Sequence, residues 1–212
     1  MDFEKAYDRL DREWLFKCMD AMHFPESSKR WVRLLLAGTQ GQIVFNGGHT
    51  SRVFDIPSGC AQGSPLSPLL YVIAAQPLAA RCRQLQQQGS INSMRMPDGT
   101  AAPCSHQHAD DTTLHGETVA DVQILLQQAV EPFCAASGAK LNRGKSQGMV
   151  LGVHPQLVGQ HAATGVTFVD TAVQPIRHLG VLLSVRGGTA FADQLFEQRL
   201  HSIGFRAKQW AT

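Results

Sequence analysis

The chain predicts an α+β domain in which helices pack on short antiparallel hairpins. Its composition is globular, with 43% hydrophobic and 17% charged residues over 212 positions. Apolar residues recur at helical spacing in successive segments. Between them lie short β-prone runs broken by turn residues, above all Ile43-Val44-Phe45, Asn46-Gly47-Gly48 and Val53-Phe54.

Each element has its own signal. Trp14, Leu15, Cys18, Met19 and Met22 make a first helix, capped by Asp8 or Asp11. Pro25 starts a second, which carries Trp31, Val32, Leu34, Leu35 and Leu36 and stops at Gly38. The Asn46-Gly47-Gly48 hairpin follows. Pro65 to about Leu85 is a helix, uncharged as far as Ala80, with a polar Gln84–Gln88 tail. A second hairpin is expected between Asn92 and Leu114. Val119–Ser137 is helical, with Val122, Leu125, Leu126, Val130 and Phe133 on one stripe and Gly138 as its end. Short strands are expected near Met149–Leu151 and at Leu179–Leu183, and a last helix at Arg199–Trp210.

Several classes are excluded at once. A net charge of +2 is too small for a strongly basic nucleic-acid coat, although the middle of the chain is acidic and its end basic. Five scattered cysteines without a C-x-x-C pair suggest reduced thiols and an intracellular setting, nuclear or cytoplasmic. The charged start, Met1-Asp2-Phe3-Glu4-Lys5, is not a secretory signal. The uncharged stretch Ile56–Ala80 contains four prolines, so no straight membrane helix is expected.

Five segments carry chemistry. Asp2-Phe3-Glu4-Lys5-Ala6-Tyr7-Asp8 gathers carboxylates and a lysine at a strand-to-helix turn, where such residues also serve as caps. In Gly59-Cys60-Ala61-Gln62-Gly63-Ser64-Pro65-Leu66-Ser67-Pro68, the glycines allow close backbone approach to a ligand. Gln62 there stands beside a helix N-terminus suited to phosphate or sugar oxygens. In His106-Gln107-His108-Ala109-Asp110-Asp111 the adjacent carboxylates repel each other. They mark either a solvated turn or an oxygen-rich site for Mg²⁺ or Mn²⁺. Gly138–Ser146 places three cations within six residues, a phosphate contact or a solvated loop. Ile176–Leu183 reads as a strand with a central glycine.

Taken together and in order, these segments resemble the reverse transcriptases of non-LTR, LINE-type retrotransposons. Asp2–Asp8 resembles D-x-x-K-A-F/Y-D, and Gly59–Pro68 resembles G-x-x-Q-G-x-P-L-S-P. Ala109-Asp110-Asp111 is similar to the end of Y/F-A-D-D. Leu141-Asn142 with Lys145-Ser146 resembles L-N-x-x-K-T/S, and His178-Leu179-Gly180 resembles Y-L-G. The resemblance implies a polymerase palm-like antiparallel sheet packed with helices over residues 1–184. The fingers would be largely absent and the thumb truncated, with 185–212 as the start of a thumb or connection.

It further implies RNA-templated DNA synthesis. Asp2, Asp110 and Asp111 would hold two Mg²⁺ (or Mn²⁺) ions, which activate a primer 3′-hydroxyl and stabilise the leaving pyrophosphate. Tyr7 would lie under the incoming sugar and reject a 2′-hydroxyl. Gln62 and Gly63 would meet the nucleotide and template, Lys145 the pyrophosphate, and His178, Leu179 and Gly180 the primer end. The implied partners are an RNA template, a DNA primer, deoxynucleoside triphosphates and the rest of a longer retroelement polyprotein.

His108 stands where the family has an aromatic. Only Met1 precedes Asp2, so the expected first strand is short, with an exposed edge, and the isolated chain is expected to be inactive or nearly so. Two rival readings stand beside this one. The chain is then a non-catalytic remnant that at most binds nucleic acid, or a zinc hydrolase. For the second, His106-x-His108-x-Asp110-Asp111 resembles the H-x-H-x-D-H run of metallo-β-lactamase-like enzymes, with Asp111 in place of the last His.

Overall fold

The computed structural model describes residues 1–45, 47–150, 157–170, 176–179 and 181–183. It mixes helices with small sheets, the expected α+β class. Its contacts gather into two units, Met1–Asn142 and Arg143–Thr212.

The first unit opens with a strand-like start and a turn leading to α1 (Arg12–Ala21). Asp11, not Asp8, caps this helix: its carboxylate accepts from the Trp14 N–H at 2.8 Å. Leu15, Cys18 and Met19 form its buried stripe. Helix α2 (Glu26–Leu36) begins after Pro25, as expected. Its apolar residues are not core, however. Only Val32 is buried, while Trp31, Leu34 and Leu35 are 64%, 63% and 63% exposed.

The first hairpin pairs β1 (Gln40–Gly41) with β2 (Phe54–Asp55). Phe45 N–H donates to the His49 carbonyl, and Val44 bridges Thr50. Between the pairs Val44–Thr50 and Gly41–Phe54, the second strand holds one more residue than the first. That extra residue is a bulge near Arg52–Val53, and it shortens the ladder that the alternation predicts.

Helix α3 (Ser67–Gln87) runs through the middle of the unit. One face, with Tyr71, Leu78, Cys82 and Leu85, meets Phe3, Cys104, Leu125, Val130 and Phe133. Another, with Leu70 and Ala74, meets Leu10, Leu15, Met19 and Cys60. Pro77 cannot donate an N–H to the preceding turn. Beside it the Ala74 carbonyl accepts from Trp14 Nε1 at 2.9 Å, which ties α1 to α3.

The predicted 119–137 helix divides into α4 (Val119–Leu125), a π turn (Leu126–Val130) and α5 (Glu131–Ser137). Pro132 explains the wider turn. Lacking an N–H, it cannot bond the Gln128 carbonyl, and that oxygen accepts from Arg81 Nε at 3.0 Å instead. The apolar stripe survives, with Leu125, Leu126, Val130 and Phe133 all buried.

Thr118 and Asp121 close a capping box at the start of α4. The buried Asp121 carboxylate also accepts from Asn92 N–H at 2.8 Å. Burial pushes its pKa up, but the hydrogen bonds from Thr118 and Asn92 outweigh it and hold the group below the usual carboxylate range. A folded-state pKa below the unfolded one stabilises the fold above the unfolded pKa. The contribution is lost as pH falls through the folded value. Asp121→Ala is expected to cost about 2 kcal/mol at neutral pH. In urea titrations the gap to wild type should shrink in acid.

The second hairpin falls within the predicted span: β3 (Ser105–His108) pairs with β4 (Asp111–Leu114) around Ala109-Asp110. A smaller bridge joins Arg95 to Ala101.

In the second unit, β5 (Gln147–Met149) pairs parallel with β7 (Val166–Val169), and β6 (Gly159–His161) antiparallel with β7. The Phe168 ring lies over Gly148, where an added Cβ would sit 2.7 Å from it. Ile176–Leu183 is not one strand. It is a tight hairpin of β8 (Ile176–His178) and β9 (Val181–Leu183), with Leu179 turning at φ 47°. Leu151, Gly180 and the expected 199–210 helix lie outside the described residues. Among those residues, no helix is long and apolar enough to cross a membrane.

Candidate active site

The site is built on one antiparallel pair. Met1 N donates to the Thr112 carbonyl at 2.6 Å, and Thr112 N–H points back at the Met1 carbonyl at 3.5 Å. A pair that exchanges both bonds lies directly opposite across the ladder, so the next pair is Asp2 with Asp111. Their side chains leave the same face. On its other side Asp2 is fixed by its carbonyl, which accepts from Asn142 N–H at 2.9 Å, and Phe3 bridges Leu141. The order across the ladder is therefore β3, β4, Met1–Phe3 and Leu141–Asn142. The half-buried Met1 amino group has a lowered pKa, pushed down by loss of solvent and partly restored by the Asp111 and Asp2 carboxylates.

Asp110 sits in the two-residue turn between His108 and Asp111. Such loops need positive φ, and Ala109 supplies it at 55°. For a residue with a Cβ this conformation costs about 1 kcal/mol. The sequence holds neither Gly nor Asn at that position to announce it.

Tyr7 reaches the same neighbourhood. Its ring stacks on Tyr71 with centroids 5.0 Å apart and planes at 30°. Both phenols have raised pKa values, through burial first and the Asp110 carboxylate next. The structure thus sets Asp2 across from Asp111 next to the Asp110 turn, and Tyr7 near Asp110, stacked on Tyr71, a residue to which the sequence reading gave no role.

The Gly59–Pro68 loop is sewn to the turn that bears Tyr7. Gly59 N–H donates to the Leu10 carbonyl at 2.8 Å, and Cys60 N–H to the Tyr7 carbonyl at 3.0 Å. An added Cβ at Gly59 would lie 2.5 Å from the Asp8 carbonyl oxygen, and φ there is 78°. At Gly63 (φ 85°) nothing lies within 4 Å, so only backbone conformation demands glycine. Gln62 Nε2 donates to Asp8 Oδ1 at 3.1 Å. Ser67 Oγ closes the loop on the Ala61 carbonyl at 2.6 Å. Asp8 entered the sequence reading only as a possible helix cap and the last residue of the first motif, not as the partner of Gln62, and Arg12 did not enter it. The spacing of Asp8 within the first motif could have flagged it; nothing flags Arg12.

The zinc arrangement is not assembled. Among the described residues no three His, Cys, Asp or Glu side chains are gathered to share an ion. The His106 ring instead faces His115, with centroids 4.9 Å apart. The same statement holds for Asp2, Asp110 and Asp111. Their all-oxygen donor set nonetheless fits Mg²⁺ or Mn²⁺, and the register places Asp2 and Asp111 side by side. Lys145 belongs to the second unit, exposed in the turn before β5. His178 and Leu179 belong there too, at the tip of the β8–β9 hairpin.

A family model described as reverse transcriptase (RNA-dependent DNA polymerase) matches residues 1–183. The chain belongs to the reverse transcriptase family. All five segments that carry the resemblance fall inside the matched span. Among curated relatives, the chain is 27% identical to the "Transposon TX1 uncharacterized 149 kDa protein" of Xenopus laevis, over 87% of this chain and 13% of that protein. It is 30% identical to the "Retrovirus-related Pol polyprotein from type-2 retrotransposable element R2DM" of Drosophila melanogaster, over 68% of this chain and 13% of that protein. This reverse transcriptase chain therefore spans 13% of the length of each of these two relatives.

Proposed function

We propose that the chain is the palm of a non-LTR retrotransposon reverse transcriptase, acting within a longer polyprotein to extend a DNA primer on an RNA template. The palm is assigned to 1–184 and the start of a thumb or connection to 185–212. The observation that carries the reading is the Met1–Thr112 pair, because it sets Asp2 across from Asp111 beside the Asp110 turn. Relatives named for transposable elements support the retroelement setting.

Asp2, Asp110 and Asp111 are the residues that would hold two divalent ions. When bound, those ions supply charge neutralisation and an activated primer hydroxyl. The chain's own residues do the positioning. Tyr7, stiffened by its stack on Tyr71, forms the floor beneath the incoming sugar. Gln62, anchored on Asp8, presents the rest of its amide to nucleotide and template, and Gly63 keeps the backbone there unobstructed. Lys145 is assigned to the pyrophosphate, and His178, Leu179 and Gly180 to the primer end.

The test is RNA-templated primer extension by the full-length polyprotein, with fingers and thumb present, and the ribo- to deoxynucleotide ratio as readout. An aromatic floor rejects a 2′-hydroxyl by contact, so Tyr7→Ala is expected to raise relative ribonucleotide use about a hundredfold. Deoxynucleotide incorporation should partly persist. If Tyr7 only packs on Tyr71, both activities fall together and the ratio stays fixed.

A further inference from the structure

Arg12 makes an unusual set of contacts for a helix-start residue. Its Nε donates to the Gly59 carbonyl at 3.0 Å, and its Nη1 to the Leu36 carbonyl at 2.9 Å. Its Nη2 reaches Thr39 Oγ1 at 3.4 Å and the Ser58 carbonyl at 3.5 Å. Among the described residues no carboxylate pairs with it. All four partners are neutral oxygens, and they come from three places: the end of α2, the connection after it, and the loop that leads to Gln62.

We propose that Arg12 is a positioning residue whose guanidinium clamps the Ser58–Gly63 loop, holds Gln62 in register with Tyr7, and so sets the fit of the incoming nucleotide. The nucleotide part rests on the polymerase reading above. The clamp rests on geometry alone. On one side the loop is bonded to the turn that carries Tyr7, through Gly59 N–H to the Leu10 carbonyl and Cys60 N–H to the Tyr7 carbonyl. On the other side Arg12 holds the Ser58 and Gly59 carbonyls. Arg12 itself opens α1 directly after its cap Asp11, so both holds start from one short stretch, Tyr7–Arg12. The Leu36 carbonyl is one of the acceptors that a helix end leaves without an intrahelical partner. Only a planar fork of five donors can serve it and the loop together. A lysine ammonium is a point donor and cannot span the set.

Cys60 reports on the clamp without any need for activity. It sits in the loop, buried, with its Sγ 3.8 Å from the Tyr7 carbonyl. Cys18, Cys82 and Cys104 are also buried, and Cys134 is half-buried. The experiment compares wild type, Arg12→Lys and Arg12→Met, each shown by circular dichroism to be folded. Thiol alkylation is mapped by mass spectrometry. Cys60 is expected to label about tenfold faster in Arg12→Met, and less so in Arg12→Lys, as local opening exposes it. Cys82 and Cys104 should remain protected. In full-length protein, Arg12→Met should raise KM for deoxynucleotide about tenfold, with kcat and the primer-template KM nearly unchanged, and Arg12→Lys should recover part of the loss.

An unchanged Cys60 rate overturns the clamp, as does equal acceleration at Cys82 and Cys104, which marks general loosening. Faster Cys60 labelling with a fall in kcat alone overturns the role in nucleotide fit. Absence of DNA synthesis by the full-length wild-type protein would count against the polymerase reading, and labelling would still decide the clamp.

Discussion

In the full-length polyprotein, Asp110→Asn is expected to reduce RNA-templated DNA synthesis by about a thousandfold or more, since a divalent-ion site supplies several kcal/mol of transition-state stabilisation. The substitution keeps size and shape and removes one charge. It sits in a two-residue turn that Ala109 already strains at φ 55°, so the fold should tolerate the change. Removing a carboxylate from beside Asp111 also relieves repulsion. Melting without metal should therefore be unchanged or slightly higher. Loss of synthesis with intact melting separates a chemical role for Asp110 from a structural one. Equal loss of both would place Asp110 among the turn-forming residues only.

Gly59→Ala is the largest stability effect expected in the first unit. The new Cβ would meet the Asp8 carbonyl oxygen at 2.5 Å and the Asp8 carbonyl carbon at 2.8 Å. These are backbone atoms, so no side chain can swing away. The φ of 78° adds strain that any L-residue would feel. The loop must leave the Tyr7–Leu10 turn, which breaks the Gly59–Leu10 and Cys60–Tyr7 bonds. A loss on the order of 3 kcal/mol is expected, or roughly 10 °C in Tm for a chain of this size. Gly63→Ala is the control. With open space at its Cβ, it should cost only the conformational strain, about 1 kcal/mol. Equal effects at the two positions would mean that the Gly59 contact is not what holds the loop.

Much of this was legible in the sequence because the signals were local. The proline that opens α2 and the stripe from Leu125 to Phe133 follow from spacing alone, and the cap of α1 was narrowed to Asp8 or Asp11. The order of the five motifs pointed to the family. What escaped was set by contacts between distant residues. The exposed face of α2 cannot be told from a core face by periodicity, since both alternate alike. The π turn depends on Arg81 reaching the carbonyl that Pro132 leaves free. The Ile176–Leu183 segment turns at Leu179, a residue that rarely takes positive φ, so it reads as one strand. Within the candidate site, Asp2, Tyr7, Gln62, Asp110 and Asp111 were proposed from motifs. Tyr71 and Arg12 were not, because their roles exist only once α3 and the 58–63 loop fold against the first turn.

The central claim is that Asp2, Asp110 and Asp111 form one divalent-ion site. Thermal melting of the chain against increasing Mg²⁺ and Mn²⁺, beside Asp110→Asn, tests it most directly. A ligand bound only by the native state raises Tm with its concentration. The account predicts a saturable rise for wild type and a much smaller one for Asp110→Asn. Identical, flat melting curves for both proteins up to high metal concentration would contradict it.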